Sequence, residues 1–207
     1  MLKLKFFIQE SWLLIVSSFC FGLLIAVTDA ALSQRIEQNK IDKLNNLTKS
    51  LLPQAGTFQP LDGEFEVAVE KGKKQTTKVY KALSETGECV GWSFNAAGTG
   101  FADKIELVVA VNEGFQKLAG FEVLSSNETP GFGDRIKSSY YRSQFIGAPA
   151  DKLKLLKTGS PANIDSDIVA ITGATVSSQA VVDIINNFMT QIRDQMQQKG
   201  LIGNVKQ

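Results

Sequence analysis

The chain opens on a long apolar run. From Trp12 to Val27 there is no charged residue, and Phe6, Phe7 and Ile8 extend the run on its N-terminal side. With those flanks it approaches the ~20 residues that a helix needs to cross a bilayer. Lys3 and Lys5 precede it, while after Asp29 no basic residue occurs until Arg35, so the charge bias predicts a cytoplasmic N-terminus and a translocated remainder. Asp29-Ala30-Ala31 offers small residues for signal cleavage, but the run exceeds the ~7 to 15 residues of a signal core, which favours a retained anchor. Ile36, Lys40, Leu44, Leu47 and Leu51 then recur at helical spacing and predict a stalk that stops at Pro53.

From Gly63 to Leu124 the period changes from helical to β-like. Phe65, Val67 and Val69 alternate with Glu66, Ala68 and Glu70, and Gly72 among Lys71, Lys73 and Lys74 marks a hairpin tip before Val79, Tyr80 and Leu83. Ile105 to Val111 is a nearly continuous apolar run, separated by Asn112-Glu113-Gly114 from a further strand at Leu118 to Leu124, which predicts a buried antiparallel hairpin. Glu128 to Asp134 is rich in breakers and reads as a loop, and the aromatics of Ile136 to Phe145 suit a helix. Val181, Val182, Ile184, Ile185, Phe188, Met189, Ile192 and Met196 form one stripe of a long C-terminal helix that Gly200 is placed to stop. Strands first and helices after predict an α+β fold, an antiparallel sheet with packed helices.

Composition narrows the chemistry. With 22 basic and 21 acidic residues the formal charge is +1, and there is no long basic run, so the electrostatic footprint of a nucleic-acid binder is missing. The chain has no histidine, which removes the usual general base and the commonest metal ligand. Its two cysteines, Cys20 and Cys89, cannot build a metal cluster, and Cys20 falls in the membrane run, so they do not suit an intramolecular disulfide. No G-x-G-x-x-G dinucleotide fingerprint occurs. Any chemistry must come from elsewhere than histidine, and a cofactor is the favoured source.

Two segments offer places for one. Thr172-Gly173-Ala174-Thr175-Val176-Ser177-Ser178 leads straight into the C-terminal helix, where unpaired N–H groups and the helix dipole favour an anion. Ser177 or Ser178 is the expected N-cap, with Thr175 just before it and Gly173-Ala174 leaving its hydroxyl accessible. The same residues also suit a capped helix after a glycine turn and nothing more. Glu128-Thr129-Pro130-Gly131-Phe132-Gly133 combines a carboxylate, a hydroxyl, a tight turn and an aromatic, either to line a planar ring with a polar edge or only to connect two elements. Gly98-Thr99-Gly100-Phe101 is either a hairpin turn or a close approach of backbone to ligand.

Taken in this order behind one N-terminal membrane helix, the two segments resemble the FMN-binding domain of membrane electron-transport complexes. Glu128 to Ile136, ETPGFGDRI, is similar to the signature of the G subunit of the Rnf complex, and Thr172 to Thr175 is similar to the flavinylation motif of that subunit and of the C subunit of the sodium-translocating NADH:quinone reductase. The resemblance implies FMN joined as a phosphoester to Thr175 by a separate flavin transferase that uses FAD. It also implies contacts to the cofactor from Thr172, Gly173, Ala174, Glu128, Thr129 and Phe132, with Lys157 near the phosphate. The family's motif usually has an aspartate three residues before the first hydroxyl; that position is Val169, with Asp165 and Asp167 upstream.

The implied protein is an electron-transfer subunit of a ferredoxin:NAD+ oxidoreductase complex coupled to ion movement, working with other membrane subunits and lipid in a bacterial inner membrane. A C subunit of the quinone reductase and a membrane-anchored assembly module without flavin are the alternatives. The domain expectation is a cytoplasmic N-terminus and membrane helix over 1–32, a stalk and linker over 33–62, and an exported FMN-binding domain over 63–207.

Overall fold

A computed structural model describes residues 2–69 and 72–203 of the chain. Glu70 and Lys71, which belong to the predicted alternation and hairpin tip, lie outside the described residues. The chain divides into two compact units, 1–43 and 44–207. Helix α1, Leu2–Leu51, fills the first and contributes its last turns to the second. Within it Ser11–Ser33 is long and apolar enough to cross a membrane, and the helix stops ahead of Pro53 because proline lacks the N–H and crowds the preceding turn.

The second unit is built on a five-stranded antiparallel sheet in the order β1-β4-β5-β6-β7, where β1 is Thr57–Pro60, β4 Val79–Leu83, β5 Cys89–Thr99, β6 Lys104–Asn112 and β7 Leu118–Ser126. Strand β1 was not expected: its residues fall in the segment 33–62 assigned to stalk and linker, yet Thr57 to Pro60 pair with Leu83 to Tyr80. β2, Phe65–Ala68, and β3, Lys74–Thr77, form a hairpin whose first arm the alternation predicted; its second arm is Lys74–Thr77 and not the expected Val79 to Leu83, which instead joins the main sheet as β4.

Period-two alternation sends Trp92, Phe94 and Ala96 of β5 to one face, opposite Val111, Val109 and Leu107 of β6. Helix α3, Thr175–Gln198, covers that face with the predicted stripe, in which Ile185, Phe188 and Ile192 are fully buried. Truncating a side chain such as Phe188 here would cost about 3–5 kcal/mol, because the surrounding packing relaxes only in part. Gly98 lets the helix lie close, since a Cβ there would fall 2.6 Å from Ile184 Cγ1. A second, smaller apolar cluster holds Leu52, Ala55, Ala82 and Ala110.

The segment Ile136 to Phe145 is not the single helix its aromatics suggested. A 3-10 turn over Gly133–Lys137 is followed by extended backbone at Ser138, then by α2, Ser139–Arg142, and a last 3-10 turn over Ser143–Phe145. Tertiary packing decides the shape: Phe121, Tyr141 and Phe145 stack edge to face, with ring centroids 4.7 to 6.3 Å apart. A short parallel pair, β8 (Lys154–Leu156) and β9 (Asp167–Val169), was also not expected. Three-residue strands carry too little pattern to be seen in sequence.

Candidate functional site

Strand β9 delivers the chain to Thr172. Its exit is clamped by Gln144, whose buried amide accepts the Val169 N–H at 2.8 Å and donates to the Val169 carbonyl at 3.2 Å. Asp167 and Val169 share one face of β9, by the alternation of a strand, and their pairing with Lys154 and Leu156 is regular. Gly173 then turns the chain at φ +82°, a left-handed conformation that side chains with a Cβ adopt only at a cost.

Helix α3 begins at Thr175, one turn earlier than expected. Its N-cap is Ala174, which has no side chain able to cap, in place of Ser177 or Ser178. Both serines are buried inside the first turn and committed elsewhere. Ser178 Oγ accepts the Ile171 N–H at 3.1 Å and donates to the Ala174 carbonyl at 2.9 Å. Ser177 Oγ donates to Glu128 Oε2 at 2.5 Å. Thr175 is half-buried and Thr172 exposed, and neither side chain has a hydrogen-bonding partner among the described residues. The first N–H groups of α3 precede its internal ladder and lack a capping side chain.

The Glu128 carboxylate joins three segments. Besides Ser177, it accepts the N–H groups of Ala102 and Asp103 through Oε1, at 3.0 and 3.4 Å, and so ties the tip of the β5–β6 hairpin to the head of α3. Burial raises the pKa of this acid, but the Ser177 hydroxyl and the backbone N–H groups of Ala102, Asp103 and Phe101 outweigh it and leave the pKa below the usual carboxylate value. Two glycines make room for the carboxylate. A Cβ at Gly133 would meet both Glu128 Oε2 and Ser177 Oγ at 2.8 Å, and one at Gly100 would fall 2.6 Å from the Asp103 carbonyl. The Gly98–Phe101 segment thus enters the hairpin tip, and Gly100 is required there by the carboxylate.

The loop after Glu128 completes the arrangement. Phe132 is 57% exposed, and its ring lies against Gly173, where a Cβ would be 3.4 Å from Cδ1. Thr129 is exposed on the same turn, its carbonyl accepting the N–H groups of Phe132 and Asp134. Behind this loop the Tyr141 hydroxyl donates to the Ser178 carbonyl at 2.9 Å, and burial pushes that phenol's pKa up. Lys157 is exposed just past β8, whose end residue Leu156 accepts the Ala170 N–H. An open groove of about 850 Å3 runs between the hairpin tip and α3, with Phe101, Lys104, Asp183 and Asn187 on its walls.

Both motif segments therefore meet at the start of α3, around a left-handed glycine, two unpartnered threonine hydroxyls and an exposed aromatic ring. This donor set fits a phosphorylated planar cofactor: open backbone N–H groups and hydroxyls for the phosphate, and an apolar side chain for a ring. Sequence reasoning missed Gln144 and took the serines for caps. Glu128 and Ser177 are 49 positions apart, so their pairing has no local signature.

Comparison with known families agrees with this reading. Residues 100–190 match the FMN-binding domain family. Over most of its length it is similar to the G subunits of ion-translocating oxidoreductase complexes. It is 28% identical over 182 residues to the G subunit of Methanosarcina acetivorans, covering 88% of this chain and 92% of that protein. It is 29% identical over 180 residues to the G subunit of the proton-translocating ferredoxin:NAD+ oxidoreductase complex of Clostridium ljungdahlii, covering 86% and 88%.

Similarity to the C subunit of the Na+-translocating NADH-quinone reductase of Vibrio anguillarum is 29% over 92 residues, 41% of this chain and 35% of that protein. Among solved structures, NqrC of Shewanella oneidensis superposes with a TM-score of 0.56 at 20% identity, covering 70% of this chain and 73% of that one, which shows the shared fold.

Proposed function

We propose that this chain is the membrane-tethered, FMN-carrying subunit of an ion-translocating ferredoxin:NAD+ oxidoreductase complex, with FMN joined through its phosphate to Thr175. The observation that carries the assignment is the Glu128–Ser177 bond, which brings the ETPGFG loop onto the TGAT segment while using up a competing hydroxyl. Ser178 is also engaged. That leaves Thr172 and Thr175 as free acceptors, and of the two only Thr175 lies at the helix head.

In the attachment reaction the Thr175 hydroxyl forms a P–O bond to the FMN phosphorus of FAD, the pyrophosphate bond breaks, and AMP leaves with the hydroxyl proton. A separate flavin transferase catalyses this exchange. Asp167, on the same strand face as Val169, supplies the acidic determinant upstream of the motif. Thr172, Gly173 and Ala174 give the phosphate access to the helix head; Lys157 offsets its charge. Phe132 and Thr129 border the ring, and Glu128 acts through Ser177 and the hairpin tip to hold these segments together. Bound FMN supplies the redox chemistry, which the protein tunes by hydrogen bonding and burial. The phosphate link leaves the ring free for electron exchange with neighbouring subunits.

Ser11–Ser33 anchors the chain, with the N-terminus cytoplasmic and the FMN domain across the membrane. Residues 1–32 form the cytoplasmic N-terminus and membrane helix, 33–56 the stalk and linker, and 57–207 the exported FMN-binding domain, which takes in β1. A G subunit is favoured over a C subunit of the quinone reductase because similarity to the former spans most of the chain and to the latter under half. Co-expression with a flavin transferase tests the reading. A denatured and washed sample should fluoresce yellow and gain the mass of FMN minus water, and Thr175→Ala should abolish both. Retention of the gain in that variant contradicts the site; an unmodified native protein favours the assembly-module alternative.

A further inference from the structure

The connection that carries Thr175 leaves a strand too short to hold it unaided. β9 pairs with β8 along one edge over three residues, and the groups of Val169 that point away from β8 are met by a side chain. Gln144 Oε1 accepts the Val169 N–H at 2.8 Å and Gln144 Nε2 donates to the Val169 carbonyl at 3.2 Å. The buried amide does for β9 what the backbone of a further strand would do.

The far end of the connection is held from the same place. Tyr141, three residues before Gln144, donates its hydroxyl to the Ser178 carbonyl at 2.9 Å. That carbonyl lies inside α3, where the helical ladder already supplies a donor, and the phenol ring is fully buried against Phe121 and Phe145. A phenylalanine would fill the same space, so the hydroxyl adds a link and little else. Val169 stands three residues before Thr172 and Ser178 three after Thr175, so Tyr141 and Gln144 bracket the acceptor segment at both ends. Within the bracket the Leu156 carbonyl accepts the Ala170 N–H, Ser178 Oγ the Ile171 N–H, and the Ile171 carbonyl the Ala174 N–H. The segment is thus fixed before an enzyme meets it, and a nucleophile placed in advance has less freedom to lose on the way to the transition state.

We propose that Tyr141 and Gln144 are positioning residues for flavin attachment, their bracket fixing where the Thr175 hydroxyl stands when it attacks the FMN phosphorus of FAD. The Thr175 O–P bond forms as the bond to AMP breaks, and the hydroxyl proton leaves with AMP. The inference rests on attachment at Thr175.

The unloaded full chain in detergent, incubated with FAD and a purified flavin transferase, tests it. Covalent FMN is followed over time across a range of chain concentrations, at a temperature where every variant is folded. Tyr141→Phe and Gln144→Met keep side-chain size and remove the bonds; each should lower kcat by about tenfold to a hundredfold with KM unchanged, the cost of a misplaced reacting atom. Phe94→Leu, in the core beside Phe115, should lower the melting temperature and leave kcat unchanged. Unaltered kcat in either bracket variant, a change confined to KM, or a fall in kcat that Phe94→Leu shares in proportion to its lost stability overturns the positioning role and leaves the attachment reading intact. A native chain that takes up no FMN, or takes it up on another residue, overturns both.

Discussion

The two ends of α3 are finished in opposite ways. At the C-terminal end Gly200 takes φ +68°, the Leu201 N–H bonds the Met196 carbonyl at 2.9 Å, and the Gly200 N–H bonds the Gln197 carbonyl at 3.0 Å, so the chain closes the helix on itself. At the N-terminal end Ala174 offers no cap, although two serines follow within the first turn. Both turn inward, Ser177 to Glu128 and Ser178 to Ile171 and Ala174. One end spends its polar groups on closure, and the other spends its hydroxyls on holding neighbouring segments while its own N–H groups stay uncapped. In a protein with a ligand at the helix head, that difference is what physical chemistry requires.

The contrast can be broken from the open end with the largest effect. Gly133→Ala would drive a methyl group into the Glu128 carboxylate and Ser177 together, and overpacking of this kind costs about 1–3 kcal/mol or more. Chemical denaturation should show that loss, and covalent FMN yield should fall with it. Next, Ser177→Ala leaves the buried Glu128 carboxylate one donor short, a loss of about 1–3 kcal/mol by the same measurement.

A pH series sharpens the Ser177 prediction. Because folding lowers the Glu128 pKa, its contribution is complete above the unfolded value near ~4.3 and is lost as pH falls through the lower, folded value. Glu128→Gln should therefore flatten that part of the acid limb. At the closed end, Gly200→Ala meets no neighbour within 4 Å and carries only the left-handed strain, about 1 kcal/mol. It should lower the melting temperature slightly and leave flavin incorporation unchanged. If Gly200→Ala impaired incorporation as much as Gly133→Ala, the functional distinction between the ends would fail.

What could be read from the sequence follows the same division. The stripe from Val181 to Met196, its stop at Gly200, and the β6–β7 hairpin each repeat a period over enough residues to be unambiguous. The two motif segments were visible too, and Thr175 does stand at the head of the last helix. The start of α3 was displaced by a turn because serine is a good cap in isolation, and only the fold shows that Glu128, 49 residues earlier in the chain than Ser177, claims its hydroxyl. The broken segment 133–145 is governed by the packing of Tyr141 and Phe145 on Phe121, a long-range contact that no local pattern encodes. Gln144 likewise looks like any surface glutamine until β9 is placed beside it.

The most direct test of the central claim is peptide mapping by mass spectrometry of the chain isolated from its native membrane. The account predicts that the peptide containing Thr172 to Ser178 carries one added FMN less water, with fragmentation assigning it to Thr175. An unmodified peptide, or the increment on Thr172, Ser177 or Ser178, would contradict it.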